Sequence, residues 1–153
     1  IQYPDGIVTE HLSTRSGCGL FDVSHMGRFR ITGNDAKAFL QHVLTSNVSA
    51  LDLHQAQYAI IPNENGGAID DAYLYRFVED AYILVVNASN ADKDWAHLTR
   101  EIKAFDAQIE NKSEAVALLS LQGPKSKQIL IDMPDGAFLT EPVQNAIGTV
   151  KLA

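Results

Sequence analysis

Residues 63–77 read NENGGAIDDAYLYRF, and the fold turns on how this stretch is read. Asn65-Gly66-Gly67 is a turn signal, because glycine supplies the positive φ that a tight hairpin requires. The residues after it alternate as a strand does. Ile69, Asp71, Tyr73 and Tyr75 would share one face, and Ala68, Asp70, Ala72 and Leu74 the other. Both sets are otherwise apolar or aromatic, so at least one of the adjacent carboxylates starts from an apolar face, where an unpaired buried charge is costly. One reading places both acids at the wet end of the strand, capping turn N–H groups. The other holds a carboxylate in a pocket that sets its pKa and orientation. Asp71 is the stronger candidate for that role. Its face offers phenols, the kind of wall on which a flat heteroaromatic ligand stacks.

The flanking sequence extends the hairpin into a sheet. AQYAII (56–61) precedes the turn, and AYILVVN (81–87) follows a second tight turn at Glu79-Asp80. Upstream, LFDVSHMGRFRITG (20–33) alternates as one more strand, with a break or bulge expected at Gly27. AQIENK (107–112) and AVALLSLQGP (115–124) read as a further strand pair. Helices are predicted over Thr9–Gly17, where Ile7, Val8, His11, Leu12 and Arg15 give a short amphipathic face, and from Asn34 or Asp35 to about Val43, with Phe39, Leu40 and Val43 inward. Two more run from an Asn90 cap through Trp95, Leu98 and Ile102, and from Lys125 to Asp132. Asp92 and Asp94 fall in the first turn of the third helix, where acids suit the helix dipole. Helices mixed with hairpin-linked strands make the class α+β.

Composition narrows the function. With 153 residues, 46% hydrophobic and 20% charged, the chain can bury a core. A net charge of -7, with no basic run, argues against nucleic acid. Cys18 is the only cysteine, which excludes an intrachain disulfide and thiolate-paired zinc, and the five histidines lack ligand spacing; no metal is expected. No apolar run reaches membrane-span length, so no membrane partner is expected. The three Asn-x-Ser triplets, at Asn47, Asn87 and Asn111, are read as chance. A first residue other than Met and an uncapped end suggest a piece of a longer protein.

Other motifs carry less. Asp22, Ser24 and His25 cannot form a strand-borne triad, because adjacent strand residues point to opposite faces. LQGPK lacks phosphate-loop spacing. Met26, flexible and apolar beside Gly27, suits either core packing or a pocket wall. Asn87 either ends its strand or, as both donor and acceptor, reads a heterocycle edge.

Taken together, GLFDVSHMGRFRITG (19–33), QAQYAIIPNENGGAIDDAYLYRF (55–77), YILVVNASNADKDW (82–95) and LLSLQGPKS (118–126) resemble, in order and spacing, the aminomethyltransferase (T-protein) family of the glycine cleavage system. The resemblance implies the opening part of a three-domain, cloverleaf-like α+β fold. Residues 1–25 and 114–153 would belong to an incomplete first domain, and 26–113 to an inserted folate-site domain. It implies transfer of a one-carbon unit from the aminomethyl-lipoyl arm of the H-protein to tetrahydrofolate, with release of ammonia. It makes Asp71 the functional acid, with Met26, Tyr58, Tyr75, Val85 and Asn87 as folate contacts and Asp70 as a structural acid. Further folate contacts would lie downstream, leaving this portion by itself with little or no activity. A bacterial cytoplasm or a mitochondrial matrix is the implied location. The alternatives are the folate-binding domain of a flavin-dependent dimethylglycine or sarcosine dehydrogenase, which shares this fold, and a non-catalytic folate-binding protein.

Overall fold

A computed structural model describes residues 4–133 and 143–148. In chain order its elements are α1 (Ile7–Ser16), β1 (Gly19–Asp22), β2 (Gly27–Thr32), α2 (Ala36–Val43), β3 (Gln55–Pro62), β4 (Ala68–Val78), β5 (Ala81–Val86), α3 (Ala91–Glu101), β6 (Gln108–Asn111), β7 (Leu119–Gln122) and α4 (Ser126–Asp132). The expected α+β class holds, with all strand pairing antiparallel. The chain divides into two compact units, one of Ser24–Ala117 with Val143–Ile147, the other of Ile1–Val23, Leu118–Pro142 and Gly148–Ala153. The predicted first-domain segment 114–153 lies partly outside the described residues.

The larger unit is a five-stranded sheet in the order β3-β4-β5-β2-β6. Asn63 builds the β3–β4 hairpin: its side-chain oxygen accepts from the N–H groups of Asn65 and Gly67, both at 2.9 Å. Gly66 takes φ 78°, a conformation nearly free of cost only for glycine. One face of this sheet is closed. Phe29 and Ile31 from β2, Leu74 from β4 and Leu84 and Val86 from β5 are buried with Phe39 and Leu40 of α2 and Leu98 of α3. Each such side chain contributes about 1.5–3 kcal/mol through burial. The α2 prediction holds in its inward set of Phe39, Leu40 and Val43.

In the smaller unit β1 pairs with β7, Leu20 opposite Leu121. None of its described residues is buried, and the apolar residues of α1, Ile7, Val8 and Leu12, are more than half exposed. The short amphipathic face expected of this helix therefore covers no core among the described residues.

Two expectations are corrected. Residues 20–33 are not one strand kinked at Gly27. The chain leaves β1 at Asp22, turns through Val23–Met26, and starts β2 at Gly27 in the other unit. Gly27 is a regular ladder residue opposite Val86, where an added Cβ would meet Val86 Cγ2 at 2.6 Å. Nor do 107–112 and 115–124 pair with each other: β6 pairs with β2, and β7 with β1. A turn at Lys112, whose carbonyl accepts from Ala115 and Val116, redirects the chain between them. Alternation identifies a strand, but the partner is set by contacts far away in sequence.

Candidate functional site

On the face of the sheet opposite its helix-backed core, β4 presents Asp71, Tyr73, Tyr75 and Phe77, in the phase set by strand alternation. The rings form a ladder, with centroids 6.0 Å apart from Tyr73 to Tyr75 and again from Tyr75 to Phe77. Tyr58 of β3 pairs with Tyr73 in register and packs edge to face against it at 5.9 Å. On the other side Val85 of β5 is the register partner of Tyr73 and is buried. Tyr58 is exposed, Tyr75 half-buried, and Asp71 exposed at the end of the ladder. The Tyr58 phenol is raised above its ordinary pKa, chiefly by its hydrogen bond to Asp71 and then by burial and the nearby acids. Burial raises Tyr75, aided by Tyr73.

Asp70, one residue earlier, points to the core face with Ala72 and Leu74 and is 6% exposed. Burial pushes its pKa up, but hydrogen bonds from Asn87, Asn90 and Asp94 outweigh that and hold it below the usual value. Asn87 links the two acids. Its backbone N–H donates to Asp70 Oδ2 at 3.1 Å, and its Nδ2 faces Asp70 Oδ1 at 3.0 Å, Asp71 Oδ1 at 2.7 Å and the Asp71 carbonyl at 3.2 Å. Three acceptors around one end of the side chain require the NH₂ there, which leaves the amide oxygen to accept. Asn87 closes β5, and Met26 precedes the strand residue paired with Val86, so both sit at the same end of the sheet. Arg28 fixes the Met26 segment: it is 2% exposed, and its guanidinium donates to the carbonyls of Ser24, Met26 and Ser113.

The structure thus brings Tyr58, Asp71, Tyr75 and Val85 onto one sheet face, with Asn87 bonded to Asp71 and Met26 beside the strand end. Tyr73, which strand periodicity places on the face of Asp71, is the centre of the ladder. Other neighbours escaped the sequence reading. Asn90 makes no side-chain cap to α3; its Nδ2 donates to Asp70 Oδ1 at 2.7 Å instead. Asp94 is not a solvated first-turn acid. It is fully buried, and its pKa is raised to about 7 by burial first and then by Asp70, against the opposing pull of Lys93. Among the described residues no group of three or more His, Cys, Asp or Glu could hold a metal ion, and no helix is long and apolar enough to cross a membrane.

Comparison with known proteins sets this geometry in a family. The chain is 50% identical over 130 residues to an aminomethyltransferase of Deinococcus deserti, covering 85% of this chain and 36% of that protein. It is 48% identical over 135 residues to the aminomethyltransferase of Thermus thermophilus, covering 88% and 38%. Among solved structures, the glycine cleavage system aminomethyltransferase T of Bartonella henselae matches with TM-score 0.77 and 38% identity, over 86% of this chain and 36% of that one. The chain therefore spans little more than a third of the length of these relatives. The family model described as the GCVT N-terminal domain matches residues 1–141, and the chain belongs to that family.

Proposed function

We propose that the complete protein is an aminomethyltransferase of glycine cleavage, passing a one-carbon unit from the aminomethyl-lipoyl arm of the H-protein to tetrahydrofolate with release of ammonia. The observation that carries this reading is the placement of Asp71, clamped by Asn87 at 2.7 Å, at the end of an exposed aromatic ladder. The relatives' names support it. They lend nothing to the dehydrogenase alternative, which is set aside. The same reading takes 26–113 as the inserted folate-site domain and 1–25 with 114–153 as part of the first domain. It also implies a bacterial cytoplasm or a mitochondrial matrix.

The residues fit a flat, polar-edged ligand. Tyr58, Tyr75, Val85 and Met26 would provide its walls, and the Asn87 side-chain oxygen, Oδ1, an acceptor at its edge. Tetrahydrofolate supplies the nucleophilic amines that accept the one-carbon unit. What the chain adds is a fixed carboxylate. Asn87 removes the rotational freedom of Asp71, so its free lone pairs point in a set direction and can take a proton there. The Tyr58 phenol, raised above its ordinary value chiefly by Asp71, remains a neutral donor toward that carboxylate. A ligand laid over the ladder would exclude water from the acid and strengthen each of these interactions.

Asp71→Asn in the complete protein tests this, since it keeps the shape and removes the base. Tetrahydrofolate binding is expected to stay near wild type while the transfer rate falls by about 10²–10⁴-fold. Wild-type turnover would refute the assignment.

A further inference from the structure

The first turn of α3 delivers Asp94 to the core face of β4, where it is 0% exposed. Neither of its carboxyl oxygens has a donor within hydrogen-bond distance. What faces it from β4 is another carboxyl, Asp70, and from its own helix the charge of Lys93, whose Nζ is bonded to the Ile69 carbonyl at 2.7 Å. An ionised Asp94 would thus be a buried charge set against a like charge, and two carboxylates in contact do not both ionise readily. A single proton removes the conflict. Asp94 as the neutral acid becomes an O–H donor. Asp70, already accepting from Asn87 N, Asn87 Nδ2 and Asn90 Nδ2, takes it as a fourth donor, which matches the roughly four lone-pair sites of a carboxylate.

We propose that Asp70 and Asp94 hold one proton between them, and that this pair is the positioning element that aims Asn87, and through Asn87 the Asp71 carboxylate, at the open face of the sheet. The pair rests on the burial of both acids, on the unpartnered oxygens of Asp94, and on the bonds that tie Asn90 and Lys93, which flank Asp94 in sequence, to Asp70 and the Ile69 carbonyl; only the meaning given to Asp71 rests on the folate-transfer reading. The chain of contacts is short. Asp94 fixes the Asp70 carboxylate, both Asp70 oxygens hold Asn87, and the same Asn87 amide holds Asp71 Oδ1. Asn90, freed from capping, completes the Asp70 shell instead. A buried polar network of this kind is rigid only when every member is satisfied, and the proton is the member that satisfies it.

The arrangement responds to pH. Asp94 ionises at about 7 in the folded protein against an ordinary 3.8, so its contribution to stability is full below about 3.8 and is lost as pH rises to about 7. Asp70 is lowered, so its contribution is present above its ordinary range and lost as pH falls through its folded value. The network is best held on the acid side of neutrality. Above about pH 7 a second charge appears beside Asp70 and loosens the hold on Asn87.

The test uses the complete protein with ¹³C-labelled aspartate and ¹⁵N-labelled asparagine. Wild type is expected to show the infrared carbonyl band of a buried carboxylic acid at pH 6, fading with a midpoint near 7, and the band should be absent in Asp94→Asn. The side-chain amide resonances of Asn87 should follow the same midpoint in wild type and lose it in Asp94→Asn. Asp94→Ala, which removes the donor, should lower kcat for folate-dependent transfer on the order of tenfold with little change in the folate KM. Asp94→Asn, which keeps an N–H donor, should restore most of that rate and flatten the alkaline limb of the pH profile. A missing acid band at pH 6, or Asn87 resonances that ignore the titration, would overturn the shared proton, whether or not Asp94→Ala folds. Wild-type kcat in a folded Asp94→Ala would overturn the positioning role. Should the wild-type protein transfer no one-carbon unit, the functional reading fails by itself, and the infrared and Asn87 signals still decide the pair.

Discussion

Asp70 and Asp71 are neighbours in sequence and lie on opposite faces of one sheet, and the two faces differ in kind. The core face is backed by α2 and α3, and there Asp70 is buried, with donors from Asn87 and Asn90 gathered around it. The open face carries aromatic rungs, and there Asp71 is exposed and held by the Asn87 amide. A buried carboxylate persists only where it is saturated with hydrogen bonds, so Asp70 has little capacity left for a ligand. Asp71 keeps its remaining lone pairs on an accessible surface. Alternation sets the two acids apart: Asp70 is enclosed on the core side, and Asp71 is left on the open one.

The sharpest way to break this contrast is to neutralise each acid separately. Asp71→Asn should remove about 3–5 kcal/mol of transition-state stabilisation, the equivalent of its 10²–10⁴-fold rate loss, while thermal stability stays close to wild type. Asp70→Asn should do the reverse: an amide beside the Asn87 and Asn90 donors opposes them, so the larger loss appears in the melting temperature. A reversed pattern in steady-state rates and thermal melts would mean that the roles of the pair are exchanged.

Next in size are truncations that probe what each face contributes. Leu84→Ala, in the core layer, should destabilise by about 2–5 kcal/mol in denaturant titration. Tyr75→Ala, on the open face, should cost less stability and instead weaken tetrahydrofolate binding by about 0.5–1.5 kcal/mol, a few-fold change in KM. The smallest effect belongs to Arg30, exposed and paired with Glu110 at 3.2 Å. Arg30→Ala should change stability by less than about 0.5 kcal/mol in the same titration, because such a pair is screened by water and salt.

The division between the acids was legible in the sequence because it depends on a local property, the two-residue period of β4. The same holds for the β3–β4 hairpin, whose turn chemistry lies within Asn63–Gly67, and for the inward face of α2. What escaped depends on partners distant in the chain. Asp94 reads as an ordinary first-turn helix acid until β4 places Asp70 against it, and Asn90 reads as a cap until the same acid draws its amide away. Nothing between 20 and 33 states that the segment divides between two sheets, since β1 and β2 find their partners about 100 and 55 residues downstream in β7 and β5. Nor does the sequence mark Arg28, which is buried where the carbonyls of Ser24, Met26 and Ser113 converge on its guanidinium.

On the function proposed above, folate binds over the open face around Asp71. A crystal structure of the complete protein with tetrahydrofolate bound is the decisive measurement. The amine-bearing edge of the folate is expected within hydrogen-bond reach of the Asp71 carboxylate, its ring against Tyr58 and Tyr75. Folate bound away from this face, with Asp71 left in solvent, would rule that placement out.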